Sequence, residues 1–112
     1  MTGETGIEIS HGQRESRISV TGRLVIESSP RFRASIMKAI GKATNPVLVI
    51  DLSALSYLDT SGVATLLEAV RVASVHKVRL RVIGLSGEPR MLAQTAELDV
   101  IFRAYGSDLE LT

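Results

Sequence analysis

The stretch that decides the fold runs from residue 47 to residue 63 and reads VLVIDLSALSYLDTSGV. Its first six residues, Val47 to Leu52, are apolar except for Asp51. Such a run is typical of a central β-strand that helices cover on both faces. Residues 53–59 predict a polar loop, and the apolar spacing that follows predicts a helix from about Thr60 to His76. The stretch therefore predicts a strand, a loop and a helix in succession, which is the repeating unit of parallel α/β sheets.

Upstream of this stretch, the sequence predicts two strands and a helix. Apolar residues alternate with polar ones over Ile7–Ile9 and Arg17–Leu24, and residues 12–16 between them are typical of a hairpin connection. Ser28-Ser29-Pro30 predicts a helix start with a serine N-cap and proline in the first turn. Gly41 and the Asn45-Pro46 pair predict where that helix ends.

Downstream, the pattern predicts a buried strand over Val78–Gly84 and a third helix from Glu88 to about Glu97. Ile101–Tyr105 is interpreted as a last short strand, and residues 107–112 as the start of one more helical turn. The element order is β-β-α-β-α-β-α-β. It predicts an α/β fold with a mostly parallel sheet of four to five strands and right-handed crossovers. Residues 1–112 form one domain, and residues 1–6 are expected to be flexible.

The composition excludes several classes of protein. A chain of 112 residues with a net charge of +1 has no global field that would attract nucleic acid, and the basic residues at 77, 79 and 81 alternate as in a strand. Without cysteine there is no thiolate metal site and no cysteine nucleophile. The polar N-terminus lacks a secretory pattern, and no apolar run approaches the roughly 20 residues that span a bilayer. We expect a soluble cytoplasmic protein with no direct partner among nucleic acids or membranes.

The residues best suited to a functional role lie at the predicted start of the second helix. Asp59 can cap that helix by accepting backbone N–H groups, and Thr60 and Ser61 then fall in its first turn. Gly62 would let a partner approach the backbone closely. A phosphate on a hydroxyl here is tolerated by the helix N-terminus, yet its added charge beside Asp59 would repel a packed partner. The alternative interpretation is a polar cap on an ordinary helix.

Catalytic and metal-binding interpretations have weaker support. Asp51 and Asp59 could be imagined as a general acid and base, but a loop hydrogen bond for Asp51 and a helix cap for Asp59 explain both residues. His11 and His76 have no second ligand at metal-binding spacing. We therefore predict no enzyme activity, no cofactor and no metal. Met91, in the third helix, is a candidate partner contact.

The chain resembles the STAS domain of bacterial anti-sigma factor antagonists over nearly its whole length. Val49–Ser53 followed by Leu58-Asp59-Thr60-Ser61-Gly62 is similar to that family's strand ending in DLS and its phosphorylation loop D-S/T-S/T-G. Gly22-Arg23-Leu24 with Ser28-Ser29-Pro30 and Arg33 resembles the segment G-E-L-D…T-x-P-x-L-R. Residues 82–86 and 98–102 are similar to the family's later strand and its L-D-x-L-F motif.

The resemblance implies a phosphorylation switch. The phosphorylated residue would be Ser61, with Thr60 as the second candidate. The kinase would be a serine kinase of the histidine-kinase-like ATPase fold that is also the anti-sigma factor, and a 2C-type protein phosphatase would reverse its action. The unphosphorylated form would bind the anti-sigma factor and release a sigma factor. The expected partner contacts are Tyr57, Leu58, Asp59, Thr60, Ser61, Gly62 and Ser28.

One departure from the family pattern keeps a second function open. Val25 stands where the family often has an acidic residue, and Arg23 stands where its glutamate would be. The alternative function is a cytoplasmic STAS accessory subunit of an ABC-type lipid transporter, in which the same surface docks a transporter protein. A scaffold in another signalling complex is a third possibility.

Overall fold

A computed structural model describes residues 4–42 and 45–111. Its elements, in chain order, are β1 (Gly6–His11), β2 (Glu15–Leu24), α1 (Ser29–Gly41), β3 (Val47–Leu58), α2 (Thr60–Val75), β4 (Arg79–Ile83), α3 (Gly87–Thr95), α4 (Leu98–Ala104) and β5 (Asp108–Leu109). Within the described ranges, no helix is long and apolar enough to cross a membrane.

The five strands form one sheet in the order β1-β2-β3-β4-β5. β1 pairs with β2 in antiparallel fashion, and the remaining pairs are parallel. The predicted α/β class with a mostly parallel sheet is therefore confirmed, and β3 is the central strand. Because β2 to β5 follow one another in sequence order, right-handed crossovers bring the connecting helices to the same face of the sheet.

The core lies between that face and the helices. Ile18, Ile50 and Val82 are neighbours in register across β2, β3 and β4, and all three are fully buried. On the helix side, the buried residues include Phe32 of α1 and Leu66 of α2. Side chains of this kind supply most of the free energy of folding, at about 25 cal/mol per Å² of apolar surface removed from water.

The opposite face of the sheet carries charged side chains and no helix among the described residues. Arg17 donates to Asp51 at 3.0 Å and lies 3.7 Å from Glu15, and this face also carries the ion pairs Arg79–Asp108 and Arg81–Glu110. Their side chains are between one fifth and just over one half exposed. The prediction that helices cover the central strand on both faces is wrong.

Two segments differ from their predicted secondary structure. Residues 53–58, predicted as a loop, continue β3, because they pair with β2 as far as Leu24–Leu58, with register shifts on the way. Residues 101–105, predicted as a strand, belong to α4 or its C-terminal cap. The helix buries Leu98 and Phe102, which are one turn apart at i and i+4. The last strand is β5, where a helical turn was expected.

The two ends of the chain correspond only in part to the expectations. Residues 1–3 and Thr112 lie outside the described residues. Within residues 1–6, which the sequence predicts to be flexible, the Thr5 hydroxyl donates to the Arg23 carbonyl oxygen, and Gly6 is the first residue of β1.

Candidate partner-binding site

The candidate site lies where β3 ends and α2 begins, beside the connection from β2 to α1. The Asp59 N–H donates to the Leu24 carbonyl oxygen at 3.1 Å, so the ends of β2 and β3 are tied together directly under the helix start. In open α/β sheets, the carboxyl ends of strands are the usual place for binding sites. The sequence motif therefore occupies the end of the sheet where a partner is expected.

Asp59 organises this end of the sheet. It is the N-cap residue of α2, and its Oδ1 accepts the N–H groups of Ser61 at 2.9 Å and Gly62 at 3.2 Å. Its Oδ2 accepts the Ile26 N–H at 3.1 Å. One carboxylate thus caps the helix and fixes the loop after β2, which confirms the interpretation of Asp59 as a helix cap.

These hydrogen bonds hold Asp59 in its charged form. Partial burial acts to raise the pKa of the carboxyl, but the bonds from the Ser61 hydroxyl and from the N–H groups of Gly62, Ser61 and Ile26 outweigh it, so the pKa is lowered. A charged Asp59 is thus present at neutral pH beside the hydroxyl that the sequence singled out.

The Ser61 hydroxyl bridges two elements. Its Oγ donates to Asp59 Oδ1 and lies 2.9 Å from the Oγ of Ser29, the first residue of α1. Ser61 is half-buried, Ser29 is buried, and the neighbouring Thr60 is exposed. The two helices therefore meet at Ser61, and a group added to its oxygen would act on both helix starts.

The remaining predicted contact residues differ in their accessibility. Tyr57 is 39% exposed, whereas Leu58 and Ser28 are buried. Ser28 is the N-cap residue of α1 but makes no side-chain cap bond; its hydroxyl instead donates to the Arg23 carbonyl oxygen and accepts the Val25 N–H. Leu58 and Ser28 thus shape the site from below its surface.

Gly62 has a packing role in addition to its predicted place in the partner-binding site. It is buried, and a Cβ added there would lie 2.4 Å from Leu58 Cδ1 and 3.2 Å from the Leu24 carbonyl oxygen. The glycine therefore lets α2 sit close to β2 and β3.

Sequence reasoning missed two exposed residues beside the site. Ile26 is 67% exposed, although its N–H is bound to Asp59. The Arg23 guanidinium carbon lies 5.1 Å from the centre of the Tyr57 ring, within the range of a cation–π contact. The one local signal was the apolar Val25-Ile26 pair directly after a predicted strand.

The other ionisable residues considered as catalytic or metal-binding groups, Asp51, His11 and His76, have structural partners. The Ser53 N–H donates to Asp51 Oδ1 at 2.9 Å, and this is the hydrogen bond to the following residues that the sequence predicts for Asp51. Bonds from Ser53 are the main cause of the lowered pKa of Asp51, with a smaller contribution from Arg17. His11 is at the end of β1, where its Nδ1 lies 3.2 Å from the Ser16 hydroxyl, and His76 is the C-cap residue of α2. Among residues 4–42 and 45–111, no cluster of side chains could hold a metal ion.

Comparison with known proteins supplies the family context. A family model described as "Mlab, STAS domain" matches residues 7–104. An anti-sigma factor antagonist from Mycobacterium paratuberculosis has a TM-score of 0.82 at 21% sequence identity, over 98% of this chain and 88% of that one. The Bacillus cell fate determinant SpoIIAA in its phosphorylated form gives 0.69 at 20% identity, over 94% and 91% of the two chains.

A STAS-domain antisigma-factor antagonist from Rhodobacter sphaeroides has a TM-score of 0.58 at 26% identity, over 71% of this chain and 86% of that one. None of the curated proteins compared with the chain matches it in sequence. The likenesses near 20% identity show the fold, which confirms the predicted architecture.

Proposed function

Since the chain belongs to the STAS domain family, we propose that it is an anti-sigma factor antagonist, a cytoplasmic binding protein and not an enzyme. Unphosphorylated, it binds an anti-sigma factor that is also a serine kinase of the histidine-kinase-like ATPase fold. Phosphorylation of Ser61 ends that binding, and a 2C-type protein phosphatase restores it. The observation that carries this proposal is the Ser61 hydroxyl between Asp59 and Ser29 at the start of α2.

The charge at this position gives the switch its physical basis. A phosphate adds about −1.5 to −2 charge next to the Asp59 carboxylate, and it replaces a hydroxyl that bridges two helices. The N-terminus of α2 stabilises part of this charge, so the domain stays folded. A partner packed on the site faces the remaining negative charge. A loss of about 3 kcal/mol of binding free energy lowers affinity roughly a hundredfold.

The exposed residues around Ser61 define the proposed contact surface. Thr60 and Tyr57 precede the serine in sequence, and Ile26 adds an apolar group from the neighbouring loop. Aromatic residues with an apolar neighbour are typical of the residues that dominate binding energy at protein interfaces. Tyr57 and Ile26 therefore supply affinity in this proposal, and Ser61 supplies its regulation.

A second candidate function is the STAS accessory subunit of an ABC-type lipid transporter, which binds its partner without a phosphorylation cycle. Two observations favour it. The Ser61 hydroxyl is half-buried and already bonded to both Asp59 and Ser29, so a kinase must first break these bonds. Moreover, Val25 stands at the place of the family's acidic residue, next to the exposed Ile26.

The test is a pull-down from host lysate with the wild-type protein, Ser61→Ala and Ser61→Asp as baits. Ser86→Asp is the control, because it adds the same charge at an exposed serine at the start of a different helix, α3, where Ser86 is the N-cap residue. We expect a histidine-kinase-like ATPase to bind wild type, Ser61→Ala and Ser86→Asp, and to be lost only with Ser61→Asp. Retention of one transporter ATPase or permease by all four baits would refute the switch and support the second function.

A further inference from the structure

The outer edge of the sheet offers a second binding surface, away from Ser61. Among the described residues, β1 pairs only with β2 and is the terminal strand of the sheet. It is six residues long, contains no proline or lysine, and pairs without a bulge. Proline, lysine and bulges are features by which natural proteins block unwanted pairing at an edge strand. Because β1 has none of them, this edge is open to an added strand.

The hairpin geometry identifies which backbone groups point outward. The Gly12 N–H donates to the Glu15 carbonyl oxygen at 2.8 Å, which closes the turn between β1 and β2. Hydrogen-bonded and non-hydrogen-bonded pairs alternate along an antiparallel ladder. Ser10, Glu8 and Gly6 therefore bond to β2, whereas the backbone groups of Ile7, Ile9 and His11 point away from the sheet.

The side chains of the outward-bonding residues border a groove. Ile9 lies opposite Ile18, a core residue, and so faces the helix side of the sheet. It is nonetheless 44% exposed. A groove of about 310 Å³ between β1 and α1 is lined by Ile9, His11, Ser35, Lys38, Ala39 and Lys42. An added strand would place every second side chain into this groove.

The charge along the groove defines what it can accept. Residues 29–42 contain two arginines and two lysines and no acidic residue. Lys38 and Lys42 are exposed, and neither forms a salt bridge within the described ranges. A second copy paired through β1 would bring two such lysine pairs to one junction, where they would repel each other. A segment with acidic residues meets the lysines favourably.

We propose that the β1 edge binds an extended acidic segment of a partner protein, which adds a strand to the sheet. Backbone hydrogen bonds to Ile7, Ile9 and His11 hold the segment. Its apolar side chains contact Ile9 and Ala39, and its acidic side chains contact Lys38 and Lys42.

The probe is a capped peptide of nine residues. Its groove-facing positions alternate with threonine, and they carry glutamate at both ends of the peptide and valine between them. Its control carries lysine in place of glutamate. Titrated into ¹⁵N-labelled protein, the glutamate peptide should shift the amide signals of Ile7, Ile9 and His11 and slow their hydrogen exchange. Lys38→Glu with Lys42→Glu should weaken its binding about tenfold, since two exposed ion pairs become repulsive.

A pair of variants at one position separates the backbone contribution from the side chain. Ile9→Ala keeps the outward N–H and should weaken binding, whereas Ile9→Pro removes that N–H without removing a bond to β2 and should abolish binding. If Ile9→Pro does not fold, the variant with Lys38→Glu and Lys42→Glu still tests the proposal. Equal binding of the glutamate and lysine peptides, or shifts confined to the Ser61 region, would overturn the proposal. So would concentration-dependent protection of the same three amides in the protein alone, which indicates a second copy.

Discussion

Replacement of Asp59 by alanine removes the acceptor that joins the start of α2 to the loop after β2. Loss of the N-cap bonds to Ser61 and Gly62 costs about 1–2 kcal/mol. Loss of the bond from the Ile26 N–H to a charged acceptor adds about 1 kcal/mol at this half-exposed position. We expect Asp59→Ala to lower the free energy of unfolding by about 2–3 kcal/mol.

Asparagine at the same position separates the two contributions. It is as good an N-cap residue as aspartate, because its carbonyl oxygen can replace Oδ1. Its NH₂ group, however, would face the Ile26 N–H, donor against donor. Asp59→Asn should therefore cost about 1 kcal/mol, no more than half the effect of alanine.

Urea unfolding followed by circular dichroism measures the difference. With an m-value of about 1.5 kcal/mol/M, Asp59→Ala should lower the midpoint by roughly 1.5 M. Asp99→Ala is the matched control, since Asp99 lies in the first turn of α4 and its one ion pair among the described residues is with Arg103, at 3.8 Å. Its cost should stay within about 0.5 kcal/mol. An Asp59→Asn variant as stable as wild type would refute the assignment of a bond from Ile26, and a loss equal to that of Asp59→Ala would refute the claim that asparagine keeps the helix cap.

The pH dependence provides an independent check on the same carboxylate. The folded state lowers the pKa of Asp59, so its carboxylate stabilises the fold above the unfolded-state pKa of about 3.9. This contribution is lost as the pH falls through the lower folded-state value. The stability gap between wild type and Asp59→Ala should therefore be constant from pH 7 to pH 5 and narrow by pH 3. A gap that does not change with pH would mean that the charge of Asp59 contributes nothing.

Two pairs of glycine variants test the close approaches in the fold. Gly62→Ala should destabilise the protein by about 1–2 kcal/mol, because its Cβ would lie 3.2 Å from the Leu24 carbonyl oxygen. Gly41→Ala, whose Cβ would meet open space, should stabilise the protein by up to about 1 kcal/mol. Gly84 and Gly87 both have positive φ, but only at Gly84 would a Cβ meet backbone, at 2.7 Å from the N atom of β3's Ser53. Thermal unfolding should give a loss of at least about 3 kcal/mol for Gly84→Ala and about 1–2 kcal/mol for Gly87→Ala, and equal losses would contradict the role assigned to the backbone contact.

The helix cap could be predicted because it depends on local chemistry. An aspartate followed by small polar residues and an apolar helical repeat satisfies the N–H groups of its own chain, so Asp59 needed no tertiary information. The partners of Ser61 are different. Ser29 is 32 positions away in sequence, and nothing local to either serine indicates that the two hydroxyls meet.

The sequence did not predict that one face of the sheet has no helix, because the methylene groups of arginine side chains can cover apolar residues as a helix does. Val49 is only 1% exposed, and its neighbours in register are Arg17 on β2 and Arg81 on β4. Long cationic side chains lay their methylene groups over such a residue and keep their charge in water. The run Val47–Leu52 therefore has the composition of a strand buried on both faces, although helices cover only one.

The error at residues 101–105 has a similar origin. Val100, Ile101 and Phe102 form a short apolar run, and such a run is compatible with either a strand or a buried helix. The helix is decided by tertiary packing, since Leu98 and Phe102 reach the core together only at a spacing of one turn. β5 then follows at the sheet edge, where the Ser107 hydroxyl accepts the Leu80 N–H at 2.9 Å.

The two proposed binding surfaces lie at different places along β2, which bears on how they act together. The Ser61 site adjoins Leu24, whereas Ile9 lies opposite Ile18, six residues earlier. At about 3.3 Å per residue, this separates the two surfaces by roughly 20 Å. Effects of substitutions so far apart, without shared partners, usually add. Ser61→Asp should therefore leave binding of the acidic peptide unchanged, and Lys38→Glu with Lys42→Glu should leave binding at the Ser61 site unchanged. A partner that engages both surfaces through one flexible chain would gain affinity from the linkage itself, and it would lose that gain when either surface is altered.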